Sequence, residues 1–167
     1  MTKKILIAAI AACTLALIAG PAQASGDRTT LVLDLKPDFV TPVSCPGPLG
    51  GFALDVASLD GATLGTAKSC IKSVDGCEPF APYCLRTVRA TLTLDLERGS
   101  LTVPLRLLEI QPTPNSFVQI GTGKVSRGTG AYRHAEGRVA GGGSAAFDEQ
   151  GTFTGRLVYT ADLRGVR

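Results

Sequence analysis

The chain has 167 residues, with 17 Lys and Arg against 14 Asp and Glu, a single His and no Trp. Discarding Lys3 and Lys4 with the leader described next leaves fifteen bases against fourteen acids. That balance, with aromatic content of only 5 %, excludes the basic field and stacking platforms of a nucleic-acid binder.

Thr2-Lys3-Lys4 is a short basic start, followed by a fifteen-residue apolar run from Ile5 to Ala19. Gly20-Pro21 breaks the run, and Ala22-Gln23-Ala24 is an A-x-A cleavage signal before Ser25. Residues 1–24 therefore read as a secretory signal peptide and 25–167 as one domain, secreted or periplasmic. Ile10-Ala11-Ala12-Cys13 also fits a lipoprotein box, but the apolar run continues six residues past Cys13, which favours the plain leader. No second apolar run is long enough to span a bilayer. Four cysteines remain, Cys45, Cys70, Cys77 and Cys84, and an even count in an exported chain reads as two disulfides. Zinc would need closer pairs and more than one His, so no metal is expected. Three connectivities are open; the preferred one is Cys45–Cys70 with Cys77–Cys84. The long constrained loops are expected in this first half of the domain.

Strand follows strand. Leu31, Leu33 and Leu35 alternate within 30–36, and Phe52, Leu54 and Val56 line a second strand. Residues 63–70 make a weaker third. Over 86–97 Val88, Ala90, Leu92, Leu94 and Leu96 alternate with polar neighbours, Arg98-Gly99 turns, and Leu101, Val103, Leu105 and Leu107 resume the pattern, as in a hairpin. Further strands are expected over 117–124, 132–147 and 153–163, the last with Phe153, Leu157 and Tyr159 inward. No segment has a capped helical period. Eight strands, each with one apolar and one polar side, predict an all-β fold, an eight-stranded antiparallel barrel whose interior is either packed or holds one small ligand in a central cavity.

Residues 121–144 hold an unusual density of glycine. Glycine weakens a strand, so it marks a bend, a bulge or a close approach of backbone. A phosphate loop is excluded, since no Gly-Lys-Ser/Thr follows and no helix opens there; no cofactor is expected.

Gly128-Thr129-Gly130-Ala131-Tyr132-Arg133-His134-Ala135-Glu136-Gly137 resembles the GTG-aromatic-basic-x-A-x-G stretch of dirigent proteins and their relatives in the allene oxide cyclase-like barrel superfamily. Ser100–Val103 and Gly151-Thr152-Phe153-Thr154-Gly155 are similar to flanking strands of that family, so the likeness covers roughly residues 86–163. It implies an eight-stranded barrel with a cavity, and members that cyclise reactive lipids or steer phenolic intermediates. Dirigents commonly carry Arg at the position of Glu136, and a carboxylate does not replace a fixed cation.

Tyr132, His134, Glu136 and Arg106 are the candidate catalytic residues, each with a plainer alternative. His134 is the single His, so it has no second His to share a metal. Glu109 and Glu136 suit a general base only if desolvated. Arg106 binds an anionic oxygen if its face lines the cavity and is ordinary if it faces water. Tyr132, Tyr159 and Phe153 are the expected ligand contacts, with Tyr132, His134 and Glu136 sharing one strand face at a barrel mouth. Two functions follow: a barrel that binds a small apolar ligand or serves structurally, without catalysis, or a cyclase or isomerase that works by positioning its substrate. Oligomeric state is open.

Overall fold

The computed structural model describes residues 28–80, 83–113, 115–149 and 153–167, with backbone alone at 37–42, 77–80, 83, 147 and 153. The leader, its cleavage site and Cys13 lie outside these residues. Among the described residues nine strands follow in order: β1 (Arg28–Pro42), β2 (Gly51–Ala57), β3 (Thr63–Phe80), β4 (Tyr83–Leu96), β5 (Gly99–Thr113), β6 (Ser116–Lys124), the two-residue β7 (Arg127–Gly128), β8 (Glu136–Phe147) and β9 (Phe153–Arg164). A single 3-10 turn, Gly130–Tyr132, stands between β7 and β8.

All pairings are antiparallel, and the circuit β1-β2-β3-β4-β5-β6-β8-β9 closes on β1, with β7 attached beside β5. The protein is a closed eight-stranded barrel. Alternation fixes which side faces in. On β5, Leu101, Val103, Leu105 and Leu107 are buried while Pro104, Arg106 and Leu108 are exposed. Leu33, Leu35, Leu54, Val56, Leu92, Leu94, Val139, Leu157, Tyr159, Ala161 and Leu163 complete the core. Closure suits the sequence because each strand has one apolar face to bury and no sheet edge to protect.

The ends differ. At one end the segment after β6 folds across the barrel. Ser126 N–H donates to the Thr102 carbonyl at 2.9 Å, Ala131 N–H to Arg98 at 2.8 Å, and the Arg167 N–H to Ala131 at 3.0 Å. Gly130 takes φ +56° there, with the Arg98 carbonyl 2.3 Å from where a Cβ would sit, so both conformation and space demand glycine. Tyr132 and Ala135 drop into the core and cap this end.

At the other end β3 and β4 run on beyond β2, whose pairing with β3 stops at Gly51–Cys70. The third strand is thus far longer than the expected 63–70, and Cys77 and Cys84 sit in strands where loops were expected. Backbone hydrogen bonds of the β3–β4 hairpin hold them extended, with two irregularities in register. The Cys45–Cys70 disulfide is present and fastens the 43–50 loop to β3. Val43 N–H to Gly51, Ile71 N–H to Gly50 and Lys68 Nζ to the Ser44 carbonyl at 2.8 Å hold the same loop. Cys84 is also disulfide-bonded. The Cys77 side chain lies outside the described residues.

Candidate functional site

The barrel interior is filled at the capped end and hollow toward the other. A cavity of about 150 Å³ is bounded by Leu35, Leu54, Val88, Ala90, Leu92, Leu105, Leu107 and Leu157. The half-buried Phe52, Ser69, Ile71 and Phe117 stand around its mouth side. Four longer polar side chains enter this apolar wall: Arg86, Glu109, Gln119 and Tyr159.

Each polar group is there because it stays in phase with an apolar stripe. Arg86 continues the inward series of Val88, Ala90, Leu92 and Leu94 on β4. Glu109 continues that of Leu101 to Leu107 on β5, and Gln119 is the buried residue of β6. Register then sets them side by side: Arg86 is directly opposite Glu109, and Glu109 is directly opposite Gln119. Arg86 donates to Glu109 Oε1 from Nε at 2.7 Å and from Nη2. Both donors converge on one carboxylate oxygen. The Glu109 side chain is only 7 % exposed and that of Arg86 29 %, so the pair works in a medium far less polar than water.

Gln119 Nε2 donates to the Tyr159 hydroxyl at 3.1 Å. These residues belong to β6 and β9, with β8 between them. They meet because the intervening inward positions of β8 are glycine: Gly143 lies opposite Gln119 and Gly141 opposite Tyr159. A Cβ on Gly141 would come within 2.6 Å of Tyr159 Cα and 2.9 Å of its ring. Part of the glycine-rich stretch therefore makes room for a polar contact inside the barrel. Burial pushes the Tyr159 hydroxyl up to about 12, the Gln119 hydrogen bond opposes that, and the Glu109 charge adds to it. At neutral pH the hydroxyl keeps its proton. Accepting from Gln119 leaves that proton to donate.

Of the residues singled out from sequence, Tyr159 and Glu109 reach the cavity. Tyr132 does not line it: Tyr132 is buried in the cap at the opposite end. The strand expected to start at 132 starts at Glu136, because residues 130–135 turn back on themselves through Tyr132 N–H to Thr129 and Ala135 N–H to Tyr132, both 2.9 Å. Tyr132, His134 and Glu136 therefore share no strand face. His134 is exposed in that turn, and Glu136 is exposed opposite Arg164 on β9. Arg106 is exposed on the outer face of β5. The Phe153 side chain lies outside the described residues. Arg86 and Gln119 were not anticipated. Extending the Val88–Leu96 stripe by one step would have found Arg86, whereas a single Gln between Phe117 and Gly121 carries no such signal.

Among the described residues no cluster of three or more His, Cys, Asp or Glu could hold a metal, and no helix is long and apolar enough to cross a membrane. The arrangement can desolvate a compact apolar molecule and offer it a hydroxyl donor, an amide and a carboxylate–guanidinium pair at one side. No protein-family model matches the chain, and neither does any curated protein or solved structure.

Proposed function

We propose that this barrel binds a small, largely apolar ligand in its cavity, with the ligand's polar atom against Arg86, Glu109, Gln119 and Tyr159. The observation that carries this reading is the juxtaposition itself: an apolar hollow with a few convergent polar side chains is the usual make-up of a small-molecule site. Polar residues are costly inside a barrel, and an all-apolar wall would have filled it more simply. The Cys45–Cys70 bridge supports export to an oxidising compartment, secreted or periplasmic. Native mass spectrometry of the protein purified from its own source tests the reading. A retained small mass is expected, and it should vanish in Ala90→Phe, which fills the hollow. Identical masses for native and denatured protein, with no ligand bound from an apolar probe set, would refute it.

A second reading is a cyclase or isomerase of the allene oxide cyclase-like kind, favoured by one observation. Tyr159 holds its proton beside a buried carboxylate, so an acid and a base stand together at the cavity wall. A reactive substrate held there would need little more than positioning. Turnover of such a substrate that survives Tyr159→Phe and Glu109→Gln would count against it. Kinship with dirigent-like barrels, and assembly into an oligomer through the exposed Leu108, Ile110, Val118 and Ile120 on the outer face of β5 and β6, are further proposals.

A further inference from the structure

The polar side of the cavity is charged group by group yet neutral as a whole. Arg86 and Glu109 are the only charged residues among the described cavity lining, and each already satisfies the other. Gln119 is neutral, and Tyr159 keeps its proton through the physiological range. An incoming carboxylate would lie beside Glu109, a like charge that the apolar walls scarcely screen. An ammonium would compete with Arg86 for Glu109, and Arg86 cannot give up its charge. A neutral oxygen meets neither penalty. It can accept from the Tyr159 hydroxyl or donate to Glu109. Size restricts the ligand further, since a hollow of about 150 Å³ suits a benzene-sized body.

Resting on the ligand-binding reading above, we infer that the self-neutralised Arg86–Glu109 pair beside Gln119 and Tyr159 selects an uncharged, single-ring-sized molecule bearing one hydroxyl or carbonyl oxygen, and turns away carboxylates and amines. Glu109 is the residue that sets this selection. Without its charge the same wall presents an uncompensated guanidinium, a carboxylate receptor.

Four probes with a common tolyl body test this with the full mature chain, disulfides intact, by calorimetric titration at neutral pH: 4-methylphenol, 4-methylbenzoate, 4-methylbenzylammonium and toluene. The phenol should bind at least tenfold tighter than either ion, and tighter than toluene. Benzoate binding as tightly as the phenol would overturn the inference while leaving the cavity a ligand site. Binding of none of the four, in a protein that also retains no ligand from its source, would remove the parent reading and this one together. In Glu109→Gln the order should invert, with 4-methylbenzoate gaining at least tenfold. A folded Glu109→Gln protein with unchanged order would show that Glu109 does not set the selection. Should that variant not fold, the wild-type series decides alone.

Discussion

Removing one partner of the Arg86–Glu109 pair should harm the protein more than removing both. Arg86→Met strands a carboxylate whose side chain is 7 % exposed. Two opposite charges about 4 Å apart attract by about 4 kcal/mol at an effective dielectric of about 20. Arg86 is partly hydrated, at 29 % exposure, so water can reach the vacated place and recover part of this. A net loss of about 2–3 kcal/mol follows, just under the range for breaking a fully buried pair. A domain of about 140 residues unfolds with an entropy of about 0.3 kcal/mol/K, so the midpoint should fall by about 7–10 °C. Arg86→Met/Glu109→Leu replaces both charges by apolar groups and should return to within about 1 kcal/mol of the parent. Differential scanning calorimetry of the three proteins, with ligand retention measured in parallel, provides the assay. The double variant should be folded and empty. A double variant as unstable as the single one would mean that the pair holds the fold together, and the case for a ligand site built around it would fall.

Removing the bridge by Cys45→Ala/Cys70→Ala, which opens a loop spanning 25 positions, should cost about 3.5 kcal/mol in the chain-entropy treatment, read by denaturant titration. Thiol titration of the denatured, unreduced mature protein should find no free thiol. Tyr159 binds its proton more tightly folded than unfolded, so its contribution to stability is complete below about pH 10 and disappears as pH rises toward 12, which ultraviolet titration alongside alkaline melting would follow. Gly141→Ala drives a methyl against β9 and should destabilise by about 1–3 kcal/mol, whereas Ala140→Ser on the exposed face should stay within about 0.5 kcal/mol. N-terminal sequencing of exported protein should begin at Ser25.

The barrel was legible because strand alternation is a short-range code. Leu101 to Leu107 and Val88 to Leu94 name their own inward faces, and closure follows from eight such segments. The site was legible only in part. Tyr159 stood on the apolar face of the last strand, and Glu109 was singled out as a base if desolvated. Arg86 was passed over because a charge at the end of a stripe usually marks the water line, and here the strand goes on. Tyr132 misled for the opposite reason. Its glycine-rich surroundings suggested a mouth, yet the 3-10 turn at Gly130 depends on hydrogen bonds to Arg98 and Arg167, distant in sequence and invisible to local pattern. The lengths of β3 and β4 were missed because 73–80 and 83–87 carry Gly, Pro and charged residues without clean alternation, and their extension rests on pairing across the hairpin.

The hairpin joining β4 and β5 closes at Leu96–Gly99 with only Glu97 and Arg98 in the loop. The placing of Glu109 opposite Arg86 belongs to the register that this turn closes. One residue more, absorbed into β5 with the two-residue turn kept, would shift the register by one, sending Glu109 to water and placing Leu108 opposite Arg86. Two more would restore its direction but set it beside a different neighbour on β4. Selection acting on the site would therefore be felt as a constraint on loop length some ten residues away. Chains of this kind could vary freely in the outward Thr, Arg and Asp of these strands, yet an insertion at 97–98 that slips the register would silence them.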